Sequence, residues 1–439
     1  MPKCSIITPL HKPGNLFIGE AYDSLVSQTM TDWEWIVLQN NGGELPNFIK
    51  EDSRVRVLSD DSGKGIGFLK RQLSNQAGSE IIVELDNDDI LEPTALDKIV
   101  MAFADKNTDF VYSDFAEFKM SEDGSLVSSW PEYPYGALYG WTSYEVDFRG
   151  SKLNAMKAPD ATAHTIRLVD WAPNHVRAWR KRSYFMVGGH NPRLSVADDH
   201  DLIVRMFLNG ANFVKIPECL YFYRVHTENT VGTKNAEIRE GTWRVYNQNI
   251  WKLAEKWSDD NSLSKIDLCG GIDCPDKYTP LDESLGTDLN DVWPLDDSTV
   301  GVLRAHDAIE HLKNPVHTMN EAYRVLAPGG WLMISVPSSN GLGAFCDPTH
   351  VSFWNKLSFR YYTNPNFSKY LPKYFGRFQV ARVIEWFPSD WHKENNVPYV
   401  EAQLICCKDG FRAMGEYLWP PPPAVGLKAI TLSPGQDPR

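Results

Sequence analysis

The chain has 439 residues, enough for two or three domains that each bury a core. Its formal net charge of −13 argues against a general nucleic-acid binder, although a local basic groove would still leave a nucleic-acid acceptor open. No apolar run reaches the roughly 18 residues of a membrane span, and seven scattered cysteines without zinc-ligand spacing, behind a start with no signal-peptide layout, point to reduced thiols in a cytoplasm. From the N-terminus, CSIITPL (4–10) reads as a buried strand and IGEAYDSLVSQT (18–29) as a helix. WEWIVLQNNGG (33–43) reads as a strand ending in a Gly/Asn turn, SRVRVLSD (53–60) as another strand, and GFLKRQLSNQAG (67–78) as a helix that Gly78 can end. SEIIVELD (79–86) is a continuous apolar strand of the parallel, doubly covered type.

This alternation predicts an α/β sheet with crossovers, in which ligands sit beyond the carboxyl ends of strands. Residues 119–172 depart from it: SSWPEYPYGALYGWTSYEVDFRG is rich in aromatics and reads either as an acceptor-facing loop region or as an irregular packed insertion. Regular patterning returns over residues 180–226, a helical stretch covers 235–257, and a second α/β pattern runs from SKIDLCGG (264–271) to about residue 409. The tail WPPPPAVGLKAITLSPGQDPR (419–439) reads as extended. The basic run RAWRKR (177–182) reads as a solvated turn leading into a strand, and Cys406 and Cys407 as core.

VELDNDDIL (83–91) puts Asp86, Asp88 and Asp89 at the end of the fourth strand. A diphosphate leaving group needs its growing charge neutralised, and a divalent cation on one or two carboxylates does this. Alternate residues of an extended segment point the same way, so Asp86 and Asp88 can share one site. In order along the chain, SIITPLHKPGNLFIGEAYDSLVSQTMTDWEWIVLQNNGG, GKGIGFLKRQLSNQAGSEIIVELDNDDILEPTAL, VYSDF (111–115), RKRSYFMVGG (180–189), DDHDLIVRM (198–206) and YRVH (223–226) resemble the inverting glycosyltransferases of the GT-A fold, over roughly residues 3–230. The resemblance implies a nucleotide-sugar donor, UDP-sugars by family habit, and a divalent metal, Mn²⁺ or Mg²⁺. It makes Asp88 a metal ligand, Asp86 a contact to ribose or metal, and His226 a further ligand. Asp199 becomes the general base, Asp198 its alternative, and Asp201 an orienting or capping residue. Pro9, Gln39, Asn40 and Asn87 fall on the nucleotide side. Lys70 and Arg71 either approach the diphosphate or are solvated helix residues. One departure stands out: the family's acidic pair after the second strand is replaced by the amides of LQNNGG, which can still pair with a base edge.

The stretch 264–338, with DAIEHL, EAYRVLAPGGWLMISVP and then DPTHVSFWNKLSFRYY (347–362), resembles the class I S-adenosylmethionine-dependent methyltransferases over roughly residues 264–385. By that resemblance Gly270 and Gly271 form the cofactor turn, Asp282 holds the ribose, Asp288 and Leu289 lie near the adenine, and His306 lines the cleft. Two departures are plain: Cys269 stands where the first glycine is expected, and residues 271–282 are too few for the usual helix between the first two strands. His311 and His350 read as structural or acceptor-facing. The expected architecture is a GT-A domain (1–234), a helical linker (235–262), a Rossmann-like methyltransferase domain (263–410) and a Pro-rich tail (411–439). The expected acceptor is a glycan, a lipid-linked glycan or a protein, and the second domain is expected to methylate the glycan. Two other classes stay open: a methyltransferase whose first domain only binds glycan, and a scaffold without activity.

Overall fold

The computed structural model describes residues 2–129, 142–166 and 173–411. The chain forms two compact units, and the division falls between Ile250 and Trp251. It lies inside one helix, Thr230–Asp260, which is kinked at Lys234.

The first unit is built on β1 (Cys4–Leu10), β2 (Trp33–Gln39), β3 (Val55–Ser59) and β4 (Ile81–Glu84), which pair in the order β3-β2-β1-β4, all parallel. Every residue of β1 and β4 is buried, as expected of strands covered on both faces. The helices α1 (Ile18–Val26), α2 (Ile66–Gln76) and α3 (Ala95–Ala102) lie between and after these strands. The sheet continues through β10 (Arg177–Arg180), antiparallel to β4, then β6 (Phe110–Met120), β11 (Phe213–Arg224) and the two-residue β5 (Ile90–Leu91). Helix α4 (Asp198–Leu208) precedes β11, and α5 is the helix Thr230–Asp260.

The irregular reading of residues 119–172 is corrected where they are described. β6 pairs with β7 (Leu126–Ser128), and β8 (Ser143–Phe148) with β9 (Ser151–Met156) as an antiparallel hairpin. Arg149 and Gly150 make its turn at φ of 49° and 82°, the left-handed pair that two-residue hairpins require. Phe148 stacks on Phe222 with ring centroids 4.0 Å apart, so the hairpin packs a small core of its own. Residues 130–141 and 167–172 of that aromatic-rich stretch, and the tail from residue 412, lie outside the described residues.

The second unit has six strands in the order β13-β12-β14-β15-β17-β16: β12 (Ser264–Leu268), β13 (Thr279–Leu281), β14 (Val300–His306), β15 (Leu326–Pro337), β16 (Phe378–Trp386) and β17 (Tyr399–Cys406). The first four in that order are parallel, while β17 and β16 run antiparallel to their neighbours. Between β12 and β13 there is one short 3₁₀ turn, Gly271–Asp273, in place of a helix. Helix α6 (Pro315–Val325) starts with proline, and the Asn314 side chain accepts from the His317 amide. Trp293, Phe359, Phe378 and the wholly buried Cys406 belong to this unit's core.

Candidate active site

The parallel strands of the first unit end at a common edge, and the turn after β4 brings its three aspartates there in different roles. Asp89 is fully buried and structural: one oxygen accepts from the Tyr221 hydroxyl (2.8 Å), the other from the Arg224 amide (2.7 Å). Burial and the neighbouring Asp88 push its carboxyl well above the usual range. Asp88 faces outward, its Oδ2 2.9 Å from His226 Nε2, with both side chains about one-sixth exposed. The Glu228 amide donates to His226 Nδ1 (3.2 Å), and Phe17 lies 4.8 Å from the imidazole ring. Asp86 offers an oxygen within 4.8 Å of ligating atoms of Asp89 and His175. Burial, then the charges of Glu84 and Asp88, raise the Asp86 carboxyl to about 6 against the pull of Lys70. Asn87 is turned inward: its amide donates to the Pro9 carbonyl (3.0 Å) and lies 2.9 Å from His11 Nδ1. Gly14 packs so close beneath Asn87 that a Cβ there would come within 2.4 Å of it.

Crowded carboxylates with raised proton affinity, beside an imidazole whose Nε2 faces one of them, suit a divalent cation. Oxygen and nitrogen donors are both present, and a cation would relieve the mutual repulsion. Asp88 and His226 are placed to hold it, with Asp86 beside them.

A second cluster lies behind this turn. Lys70, on α2, is not solvated: it is 6% exposed, with its ammonium 2.6 Å from Glu84 and 3.9 Å from Asp198. It is committed to that buried network rather than extended into the cleft. Arg71, the next residue, is half-buried. The basic run likewise departs from the solvated reading, because Arg177 and Trp179 are buried in β10. Arg177 Nη1 sits 2.5 Å from Asp199 Oδ2 and 3.8 Å from Glu84, and its Nη2 lies 2.9 Å from His175 Nε2.

Both catalytic candidates start helix α4, where the dipole favours negative charge. Their environments push them apart. Asp199 is a quarter exposed; although burial opposes its charge, Arg177 and Lys70 hold its carboxyl well below the usual range. Asp198 is 5% exposed, and burial, only partly offset by Lys70, raises it to about 7. Glu84 is held at about 2, because Lys70 and Arg177 outweigh its burial. Asp201 pairs with Arg205 one turn on (2.6 Å) and does not cap the helix, which has no side-chain cap hydrogen bond. Asp86, His175, Arg177 and Asp199 thus form a continuous run from the cation candidates to the base candidate. His175, Arg177 and Glu84 were not singled out in the sequence; the only signal was a basic run that reads as surface.

At the end of β2, Gln39 turns its amide to the Gly43 carbonyl (3.2 Å) and Asn40 is buried. The Asn41 amide donates to Asp61 Oδ1 (3.1 Å). Asp61, just past β3, brings a carboxylate back to the place where the acidic pair after β2 is missing.

In the second unit, Gly270 and Gly271 follow β12, Asp282 follows β13 and His306 ends β14, so neighbouring strands bring these residues to one edge. A Cβ on Gly271 would lie 3.6 Å from Asp282 Oδ2, while Asp282 Oδ1 accepts from the Ser284 amide (2.8 Å). That open cradle with a carboxylate on its rim fits a ribose. Cys269 adopts φ of 56°, the left-handed conformation that explains why glycine is expected there. Arg304 reaches both oxygens of buried Asp267 at 2.7 Å and His306 Nδ1 at 3.1 Å. Burial, then Arg304, lowers His306 to about 4. Asp288 is exposed and caps its own loop through Asn290, and Leu289 packs in the core with Trp293 rather than lining the cleft.

Residues 5–160 match the family described as Glycosyl transferase family 2, and residues 272–334 match a Methyltransferase domain. The chain therefore carries a glycosyl transferase family 2 domain followed by a methyltransferase domain. It is 25% identical over 230 residues (51% of this chain, 16% of the other) to O-antigen biosynthesis protein RfbC of Myxococcus xanthus. It is 25% identical over 261 residues (57% and 23%) to the hyaluronan synthase of Pasteurella multocida. Against the chondroitin synthase of Escherichia coli the figures are 24% over 275 residues (61% and 36%). The chain thus spans between about a sixth and a third of the length of these relatives. Among solved structures, S. aureus TarS 1–349 in complex with UDP aligns at 18% identity over 60% of this chain and 73% of that one, with a TM-score of 0.39.

Proposed function

We propose that the first unit is a metal-dependent, inverting glycosyltransferase that moves a sugar from a nucleotide-sugar, UDP-sugar foremost, to an acceptor hydroxyl on a glycan. The observation that carries this is the 2.9 Å pairing of Asp88 with His226, joined through Asp86, His175 and Arg177 to the ionised Asp199. A divalent cation, Mn²⁺ or Mg²⁺, when held by Asp88 and His226, supplies positive charge against the departing diphosphate. Asp199 takes the acceptor's proton. Because Arg177 keeps its basicity low, it takes that proton late, as the attacking oxygen bonds to the anomeric carbon and becomes acidic. Asp198 is sealed from the cleft, which favours Asp199 for this role. Asn40, Gln39 and Asp61 flank the base, and Asn87 ties the turn after β4 to Pro9 in β1. The glycan acceptor follows from relatives whose names are those of polysaccharide and O-antigen makers.

The second unit binds S-adenosylmethionine against Gly270, Gly271 and Asp282 and methylates the glycan. Seven free cysteines support a cytoplasmic site of action; among the described residues no helix is long and apolar enough to cross a membrane.

The test is thermal stability against UDP, GDP, CMP and dTDP, each with and without Mn²⁺, and against S-adenosylmethionine alone. Ligands that bind only the folded state raise the transition. A Mn²⁺-dependent rise with UDP is expected, lost in Asp88→Asn and kept in Asp199→Asn, whose sugar transfer should fall roughly 10²–10⁴-fold. No rise with any nucleotide would favour the scaffold, and no rise with S-adenosylmethionine would remove methylation from the proposal.

A further inference from the structure

We propose that Glu310, His311 and His350 form a second metal site, for a divalent transition-metal ion, beyond the carboxyl end of β14. One ligating atom of each lies within 4.8 Å of the others. Glu310 is 2% exposed, and no side chain donates to either of its carboxylate oxygens; only the backbone amides of Glu310 and Ala308 lean on its charge, without closing a good hydrogen bond. A carboxylate stripped of water and so weakly paired is costly, and a metal ion is a regular way to offset that cost.

The two imidazoles are arranged as ligands. His350 Nδ1 lies 3.1 Å from the Ala344 carbonyl, so that nitrogen carries the proton and Nε2 keeps its lone pair. His311 Nδ1 lies 3.0 Å from the Thr349 hydroxyl oxygen and 3.3 Å from the Thr349 carbonyl. The Thr349 hydroxyl donates to Asp347 (2.6 Å) and so accepts from His311, which again leaves Nε2 free. An outer partner on one ring nitrogen, fixing the tautomer for the other, is the support that metal-binding histidines receive. The backbone holds the set together: the amides of Val351 and Ser352 both donate to the Glu310 carbonyl, at 2.8 and 2.9 Å. This ties the loop carrying His350 to the turn carrying Glu310 and His311.

Two imidazoles and one carboxylate suit ions such as Mn²⁺, Co²⁺ or Zn²⁺ rather than Ca²⁺. Three protein donors leave coordination positions open for an oxygen ligand. On the methyltransferase reading, that oxygen belongs to the acceptor's hydroxyls, and the site would select acceptors that chelate.

The test counts metal in the full chain and does not depend on sugar or methyl transfer. Equilibrium dialysis with Co²⁺ is run on the wild type, Asp88→Asn, His350→Ala, Glu310→Gln and the double variant Asp88→Asn/His350→Ala, with folding checked by circular dichroism. His350→Ala and Glu310→Gln should each bind one ion fewer than the wild type. The double variant should bind one fewer than Asp88→Asn, with loss of the Co²⁺ visible absorption that Asp88→Asn retains. Equal metal counts with and without His350 in folded protein would overturn the second site. Loss of all metal in Asp88→Asn alone would overturn it as well. Failure of nucleotide binding in the earlier test leaves this count unaffected.

Discussion

Asp198 shows how one side chain can weigh on the stability of a whole unit. Its carboxyl is raised to about 7 in the fold, against about 3.9 in an unfolded chain. Between those values the native state holds a proton that the unfolded state has released. Stability therefore falls as pH rises through this window, and the loss persists above it. The groups whose charges act on it do not titrate in that range: Lys70 and Arg177 stay charged, Glu84 and Asp199 stay ionised, and burial and Lys70 keep His190 neutral down to about 3; Asp86, raised to about 6, titrates within the window but does so in both proteins compared. Asp198→Asn should thus stabilise the protein by roughly 2–4 kcal/mol at pH 8 and by little near pH 4. Urea unfolding of both proteins at the two pH values checks this; an equal difference at both would refute it. Glu84→Gln should act in the opposite direction at neutral pH. It strips Lys70 of its closest partner, at 2.6 Å, inside the fold. Breaking such a buried pair costs about 3–5 kcal/mol, measurable by the same unfolding curves.

The turn between β2 and the next segment shows the constraint at the level of an element. Asn41 and Gly42 take φ of 47° and 76°, and the Leu10 carbonyl at the end of β1 accepts from the Asn40 amide at 2.9 Å. A Cβ on Gly43 would lie 2.0 Å from that same carbonyl oxygen. Gly43→Ala must therefore separate the ends of β1 and β2, where Gln39 and Asn40 stand. The expected loss is about 1–3 kcal/mol of stability together with weaker nucleotide binding, followed by titration calorimetry. The succession of the parallel strands and of α1 and α2 along the chain was legible in the sequence, because buried strands and amphipathic helices leave period-specific patterns; the lateral order β3-β2-β1-β4 was not. The β8–β9 hairpin was not: Tyr144, Val146 and Phe148 do alternate, but aromatic crowding upstream hid a two-residue turn at Arg149 and Gly150. Its hydrophobic partners, Phe118 and Phe222, come from β6 and β11, far along the chain.

At the scale of the molecule, each unit has its own sheet and its own buried core. Units of this kind unfold cooperatively by themselves. Calorimetry of the full chain is expected to resolve two transitions, with UDP and Mn²⁺ raising one and S-adenosylmethionine the other. A single transition moved equally by both ligands would show that the units unfold together.

The sequence by itself determined two successive α/β patterns, an acidic turn at the end of β4, an acidic helix start at Asp198 and Asp199, and a glycine turn interrupted at Cys269. These features are local, so spacing and residue type express them. The tertiary structure alone decided which carboxylate does what. Asp89 is locked by Tyr221, 132 positions away, and Asp88 faces His226, 138 positions away. Lys70, at a position that spacing leaves open to a diphosphate or to solvent, is neutralised by Glu84 and Asp198, and Arg177 turns Asp199 into a fixed anion. The neighbours that set burial and charge at these groups are brought together only when the sheet closes, and it is burial and charge, not residue type, that assign each acid its role.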